Sequence, residues 1–242
     1  MNTGSIHPSA QIRAFFAGIS PRYDLANHLL SGGIDFLWRQ RTVREVAKLK
    51  PEKILDLATG SGDLAILLAR TCPESLVVGA DFCAPMLQVA RAKNAPPLVC
   101  ADALHLPFTD GSFGAITIGF GLRNMASYPE ALAEFLRVLE PGGSLLVLDF
   151  SLPRGVLGVF YRLYLHRVLP GIAKIVTGQS SAYEYLGESI EEFPEGEAME
   201  KLFREAGFQS VKSHRLTGGI VTLYIGQKLQ PNARLVSQPP ET

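Results

Sequence analysis

The chain has 242 residues with 23 basic and 23 acidic side chains, so its formal net charge is zero. This balance argues against nucleic acid as a partner, because phosphate binding needs a cluster of Lys and Arg that the sequence does not contain. Hydrophobic residues make up 47% and charged residues 19%, which is typical of a globular protein with a sizeable core.

The first 50 residues are predicted to form a helical cap. Apolar residues recur at helical spacing over residues 11–48, with breaks at Ser20-Pro21 and at Ser31-Gly32-Gly33. The last helix of this cap is predicted from Asp35 to Leu49, since Pro51 disfavours helical backbone before it.

From residue 53 onward, short apolar strands alternate with helical segments. Near-continuous apolar strands separated by helices are typical of a parallel sheet that is covered on both faces. The predicted strands are residues 53–57, 75–80, 97–100, 114–118 and 143–149, with helices over 64–70, 85–93 and 128–139.

The C-terminal part follows a different pattern. A helix over 197–206 is followed by strands over 210–215 and 220–225, and the short glycine-rich connection between these strands favours an antiparallel hairpin. We therefore predict an α/β fold with a doubly wound, Rossmann-like sheet of seven mostly parallel strands. The main domain spans 51–228, and the polar residues 229–242 are predicted to be a disordered tail.

The loop after the first strand, Asp56-Leu-Ala-Thr-Gly-Ser-Gly-Asp63, is the first place to look for a ligand. In open parallel sheets, ligands bind beyond the carboxyl ends of the strands, and Gly60 and Gly62 let the backbone turn tightly there. The glycine spacing also fits a nicotinamide dinucleotide, but a pyrophosphate disfavours nearby anions. Asp56 and Asp63 instead favour the cationic methyl donor S-adenosylmethionine, with Ser61 in the same loop.

Two carboxylates further along the chain support a nucleoside ligand. Asp81 ends the second strand, where it can accept hydrogen bonds from ribose hydroxyls in either cofactor. Asp102 follows the third strand, where its carboxylate can accept a bond from the adenine amino group while the N–H of Ala103 reaches a ring nitrogen. Helix or turn capping is the alternative role for Asp63 and Asp102.

Two long segments, residues 23–38 and 137–151, resemble the signatures of the ubiquinone/menaquinone biosynthesis C-methyltransferases of the UbiE/MenG type. The resemblance extends over about residues 12–228 and includes the motif Gly119-Phe-Gly-Leu-Arg-Asn124. It implies a class I methyltransferase fold and methylation of a ring carbon on a polyprenylated quinol. Demethylmenaquinol is the favoured acceptor, and a benzoquinol of ubiquinone biosynthesis is the alternative.

The sequence departs from this family at a few positions. Gly119 stands where a serine is usual, so any contact with the cofactor there must come from the backbone. His28 and Asp35 stand where the family usually has Asp and His, and this reciprocal exchange suggests that the two side chains pair.

Methylation of an aromatic carbon requires a group that stabilises a phenolate-like anion. Arg123 is the candidate, because guanidinium stays charged and presents several donors. An ion pair at the surface or at a helix end is the alternative role for Arg123. Asn124 can orient a second ring oxygen, and Tyr23 can form the opposite wall of the pocket through a hydrogen bond. No metal is expected, since neither the five histidines nor the cysteines Cys72, Cys83 and Cys100 follow a ligand spacing.

Residues 152–196 are predicted to be an insertion that forms the acceptor site. Its segment 152–178 mixes apolar, aromatic and basic residues, which suits a helix at a membrane interface or a lid over an isoprenoid tail. An ordinary buried helix is the alternative. With no signal peptide or apolar stretch of about 18 residues in the sequence, we expect a cytoplasmic protein with peripheral contact at the inner face of the membrane.

Overall fold

The computed structural model describes residues 33–168 and 181–230, with the side chains of residues 181–186 excepted. Tyr23 and His28, the first 32 residues of the predicted cap and residues 231–242 of the predicted tail lie outside this range. The proposed pairing of His28 with Asp35 is therefore untested, although Asp35 is buried and forms an ion pair with Arg39.

The described residues contain seven strands, which form one sheet. They are β1 (Lys53–Leu57), β2 (Leu76–Asp81), β3 (Leu98–Cys100), β4 (Phe113–Gly119), β5 (Leu139–Phe150), β6 (Gln209–Leu216) and β7 (Val221–Gln227). The helices are α1 (Asp35–Leu49), α2 (Asp63–Thr71), α3 (Ala84–Ala92), α4 (Tyr128–Val138), α5 (Gly155–Leu163), α6 (Ser181–Glu192) and α7 (Glu197–Glu205). A 3₁₀ turn (Leu122–Asn124) follows β4.

The strand order is β3-β2-β1-β4-β5-β7-β6. Strands β1 to β5 run parallel to one another, whereas β7 lies antiparallel to both β5 and β6. The order reverses at β1, which pairs with β2 on one side and β4 on the other. The predicted mostly parallel sheet with a C-terminal antiparallel hairpin is confirmed.

Strand β5 is longer than predicted. It begins at Leu139 rather than Gly143, and its register with β4 shifts between the pairs Phe113–Leu139 and Ala115–Ser144. The strand therefore includes the Pro-Gly-Gly segment at residues 141–143, of which only Gly143 lies within the predicted strand. The pairing continues past this segment because the irregular register accommodates it.

Helices cover both faces of the sheet, as the apolar strands predicted. On one face, Phe135 of α4 and Phe203 of α7 are fully buried with Tyr224 of β7. On the other face, Val46 of α1 and Leu68 of α2 are fully buried against β1 and β4. The two cores leave the carboxyl ends of the parallel strands accessible. Within the described part of the chain, every helix is too short or too polar to cross a bilayer.

Candidate active site

A cavity lies where β1, β2 and β4 end, at the point of strand reversal. The register places Leu57 beside Ala80 on one side and Ile118 on the other, so the loops after these three strands meet. The residues that line it are Leu57, Ala58, Gly60, Ala80, Asp81, Phe82, Met86, Ala101, Asp102, Ala103, Leu104, Gly119, Phe120, Gly121, Asn124, Met125 and Ala126. Five of the predicted cofactor residues are thus brought together: Gly60, Asp81, Asp102, Ala103 and Gly119.

The loop after β1 turns through backbone conformations that favour glycine. Gly60 and Gly62 have φ angles of +56° and +83°. A Cβ on Gly62 would lie 3.0 Å from the Cβ of Ala90, so this glycine allows α2 to approach α3. Gly62 does not line the cavity, and its role in the structure is the turn and the close packing.

The loop after β4 presses against the loop after β1. A Cβ on Gly121 would lie 2.5 Å from the Cβ of Ala58, so only glycine permits this approach. Phe120, next to it, has a φ of +62°, which is uncommon for an aromatic residue. The loop after β4 thus combines a close backbone approach at Gly121 with an uncommon backbone conformation at Phe120, and both residues line the cavity.

Asp81 ties the glycine loop to the end of β2. Its Oδ2 accepts a hydrogen bond from the N–H of Gly60 at 2.8 Å, and its Oδ1 accepts one from the N–H of Cys83 at 2.8 Å. Burial of this carboxylate raises its pKa. A carboxylate offers about four acceptor positions, so both oxygens can also accept bonds from ribose hydroxyls.

Asp102 lines the same cavity, from the loop after β3. Its Oδ1 accepts the N–H of Leu104 at 3.0 Å, so the carboxylate stabilises a turn while it also faces the cavity. Its exposure leaves the other oxygen accessible to a ligand. Apolar side chains complete a slot for a flat ring, namely those of Phe82, Met86, Leu104 and Met125. No local sequence pattern points to these four residues, because their contribution depends on loop geometry.

The two carboxylates that flank the glycine loop have protein partners. Asp56 is 1% exposed, and its oxygens accept hydrogen bonds from the hydroxyls of Thr59 and Thr117 at 2.6 and 2.7 Å. Desolvation raises its pKa to about 6 despite these bonds. Asp63 forms an ion pair with Lys93. Asp63 thus has a counter-charge within the protein and Asp56 has neutral hydroxyl donors, which the sequence argument from bare carboxylates did not anticipate.

A second, smaller cavity continues from the first. Its lining shares Ala58, Gly60 and Gly119 with the main cavity, and its other members are polar with one exception: Arg39, Asp56, Thr59, Ser61, Asp63 and Leu64. Asp56 and Ser61, both predicted cofactor residues, belong to this end. Arg39 reaches it from α1 and was not among the predicted site residues.

Arg123 is buried beside Asp149. Its Nη1 donates to Asp149 Oδ1 at 2.8 Å and to the carbonyl of Phe120 at 2.5 Å, and its Cζ lies 5.2 Å from the ring centroid of Phe150. The Arg123 side chain lies outside the cavity lining, whereas Asn124 faces the cavity. The expected positive charge is therefore present, but it is paired with a carboxylate.

The comparisons with known proteins agree with this geometry. The sequence matches the ubiE/COQ5 methyltransferase family over residues 6–228. The chain belongs to this family. It is 48% identical over 219 residues to demethylmenaquinone methyltransferase of Thermus thermophilus, covering 88% of this chain and 99% of the relative. It is 42% identical over 229 residues to ubiquinone/menaquinone biosynthesis C-methyltransferase UbiE of Citrifermentans bemidjiense, covering 90% and 96%.

Solved structures support the fold. A SAM-dependent methyltransferase of Thermotoga maritima superposes with a TM-score of 0.60 at 20% identity, over 89% of this chain and 99% of that one. Phosphoethanolamine N-methyltransferase 2 of Haemonchus contortus, solved in complex with S-adenosyl-L-methionine, superposes with a TM-score of 0.56 at 16% identity, over 74% and 49%. The protein is thus a methyltransferase with the class I fold, and membership of the family decides against the nicotinamide alternative.

Proposed function

We propose that this methyltransferase moves a methyl group from S-adenosylmethionine to a ring carbon of a polyprenylated quinol, with demethylmenaquinol as the main acceptor. S-adenosylmethionine is the methyl donor of the protein. The names of the Thermus and Citrifermentans relatives support a quinol acceptor, and the second of them keeps a benzoquinol as the alternative.

One structural observation supports the donor half of the proposal: the two cavities at the strand ends share part of their lining and form a site with two chemically different ends. The wide end, which is the main cavity, offers Asp81 for ribose hydroxyls, Asp102 for the adenine amino group and apolar side chains for the ring faces. The narrow end, which is the second and smaller cavity, is polar and is lined by both cationic and anionic side chains. An adenosine joined to a zwitterionic amino acid has this same division, so the residues fit the donor.

The chemistry needs an electron-rich ring carbon next to the donor. When bound, S-adenosylmethionine supplies an electrophilic methyl group on a sulfonium. Loss of the proton from a ring hydroxyl raises the electron density at the acceptor carbon. The carbon–carbon bond then forms as the carbon–sulfur bond breaks, S-adenosylhomocysteine leaves, and the ring carbon loses its proton. The protein must hold the three reacting atoms in line.

The residues after β4 are placed for this task. We assign to Asn124 a hydrogen bond to a ring oxygen, because Asn124 lines the cavity and its side chain is an amide. We assign to Arg123 the positioning of the 3₁₀ turn through its ion pair with Asp149, with its charge near the developing anion. Tyr23 keeps its proposed role as a hydrogen-bonding wall, although it lies outside the described residues.

An assay of both quinols tests the acceptor. With labelled donor, we expect transfer to demethylmenaquinol to exceed transfer to the benzoquinol. Asn124→Ala is expected to lower kcat/KM about tenfold, since one hydrogen bond in the transition state is lost. Its affinity for S-adenosylhomocysteine, measured by calorimetry, should stay within about threefold. Label in neither quinol, or only in the benzoquinol, would contradict the proposed acceptor.

We further propose that α5 contacts the membrane that holds the prenylated acceptor. The helix exposes five large apolar side chains, with exposed fractions of 74% for Val156, 47% for Leu157, 68% for Val159, 65% for Phe160 and 54% for Leu163. Residues 150–183 contain four Lys and Arg and no acidic residue, although the whole chain is neutral. An apolar face with basic residues favours an anionic lipid surface as its partner.

Flotation with vesicles of anionic phospholipid tests this contact. We expect the protein to float with the vesicles at low salt, and the variant Val159→Glu/Phe160→Glu to lose most of this binding. Leu76→Glu is the matched control. Leu76 is a 52% exposed apolar residue that begins β2, so it lies at the amino end of the parallel strands, whereas α5 follows the carboxyl end of β5. The membrane contact would be refuted if the double variant floated as well as the wild type.

A further inference from the structure

Arg39 is the one cation in the described lining of the polar end of the cavity, and the mechanism proposed above assigns it no role. We propose that Arg39 binds the α-carboxylate of the amino-acid part of the methyl donor and so fixes the position of the reactive methyl group. This inference rests on S-adenosylmethionine as the donor and names the residue that recognises its charged end.

The lining brings Arg39 to the glycine loop. Arg39 and Ser61 line the narrow cavity, which shares Gly60 and Gly119 with the wide cavity that fits adenosine. The donor is an extended molecule, so an adenosine at the wide end directs its amino acid past Gly60 into the narrow end. Among the described residues of this lining, Arg39 alone comes from α1, and the others belong to β1, the loop after it, the start of α2 and the end of β4.

The charges of the narrow end match a zwitterion. Among the described residues of its lining, Arg39 alone is a cation, whereas Asp56 and Asp63 are anions. The α-ammonium therefore has carboxylates nearby, and the α-carboxylate has Arg39 as its one cationic partner in this described lining. Arg39 lies close enough to Asp56 for its charge to lower the pKa of that carboxyl. A guanidinium matches the geometry of a carboxylate through two parallel N–H donors.

Two contacts within the protein hold the side chain of Arg39 in place. Asp35, one helical turn earlier, forms an ion pair with the Nη1 of Arg39. The Cζ of Arg39 also lies 5.5 Å from the ring centroid of Phe120, in the loop after β4. Arg39 is 9% exposed, so these contacts orient a buried side chain before the ligand arrives. A guanidinium carries five N–H donors, which allows one edge to contact Asp35 and another the ligand.

A comparison of two ligands isolates the carboxylate. S-adenosylhomocysteine has the amino acid, whereas 5′-methylthioadenosine keeps the adenosine and sulfur without it. By calorimetry on the full chain, Arg39→Gln is expected to weaken S-adenosylhomocysteine about 30-fold and to leave methylthioadenosine within about twofold. Arg39→Lys keeps the charge without the planar fork, and it should lose less affinity for S-adenosylhomocysteine. Arg41→Gln is the matched control, because Arg41 lies on the same helix but pairs with Glu45 at the surface.

The outcomes are separable. Equal weakening of both ligands by Arg39→Gln would assign Arg39 a purely structural role and overturn the inference, as would unchanged binding of both. Methylthioadenosine binding also reports on folding, and Arg39→Lys repeats the test if Arg39→Gln does not fold. Failure of the wild type to bind S-adenosylhomocysteine would instead refute the donor itself, which separates the two proposals.

Discussion

The variant Asp149→Asn is expected to lower the free energy of unfolding by about 3–5 kcal/mol, because it leaves the guanidinium of Arg123 buried without its counter-charge. Asp149 is fully buried, and its two oxygens accept from the Nη1 of Arg123 at 2.8 Å and from the backbone N–H of Arg123 at 3.3 Å. Asparagine keeps the size of the side chain, so the loss reports on charge and not on a cavity. Urea unfolding at neutral pH measures it.

An exposed ion pair provides the matched control. Arg137 and Asp110 approach to 2.7 Å, similar to the buried pair, but the Asp110 side chain is 81% exposed. Asp110→Asn is therefore expected to change stability by less than about 1 kcal/mol. If Asp149→Asn cost no more than Asp110→Asn, the pair would not hold the turn after β4. Replacing both partners, in Arg123→Met/Asp149→Leu, should recover most of the lost stability.

Much of the fold follows from local pattern. The apolar runs at residues 53–57 and 114–118 predicted buried strands, and the structure confirms them within one or two residues. Asp81 and Asp102 could be placed at the cavity because each follows such a strand, and strand ends meet at one edge of a parallel sheet. The residues that sequence placed well are those whose position depends on a single strand.

The site residues that the sequence missed or read differently depend on long-range packing. The Asp35 and Arg39 spacing of four residues suggests only an ion pair on a helix surface, and it becomes informative once α1 packs beside the glycine loop. Arg123 was expected to face an anion of the substrate, but Asp149, 26 residues downstream, already faces it. No local pattern states which two strand ends will be neighbours, so partners of this kind appear only in the folded chain.

The second large effect concerns the pH dependence of stability and comes from Asp56. Burial raises the pKa of Asp56 from 3.8 to about 6 in the folded protein. Between these two values the folded state binds more protons than the unfolded state, so stability falls as pH rises through this window and is constant above it. Asp56→Asn removes the titration. The variant is therefore expected to gain about 3 kcal/mol relative to the wild type between pH 4 and pH 7.

Unfolding curves of both proteins from pH 3.5 to pH 8 measure this difference, in which the other titrating groups largely cancel. Thr117→Val gives an independent check, because it removes one of the two hydroxyls that donate to Asp56 and lower its pKa. The decline in stability should then extend to higher pH. A difference between wild type and Asp56→Asn that stayed constant over this range would mean that Asp56 titrates as it does in water. The hydroxyls of Thr59 and Thr117 would then offset the whole cost of burying its charge beside the glycine loop.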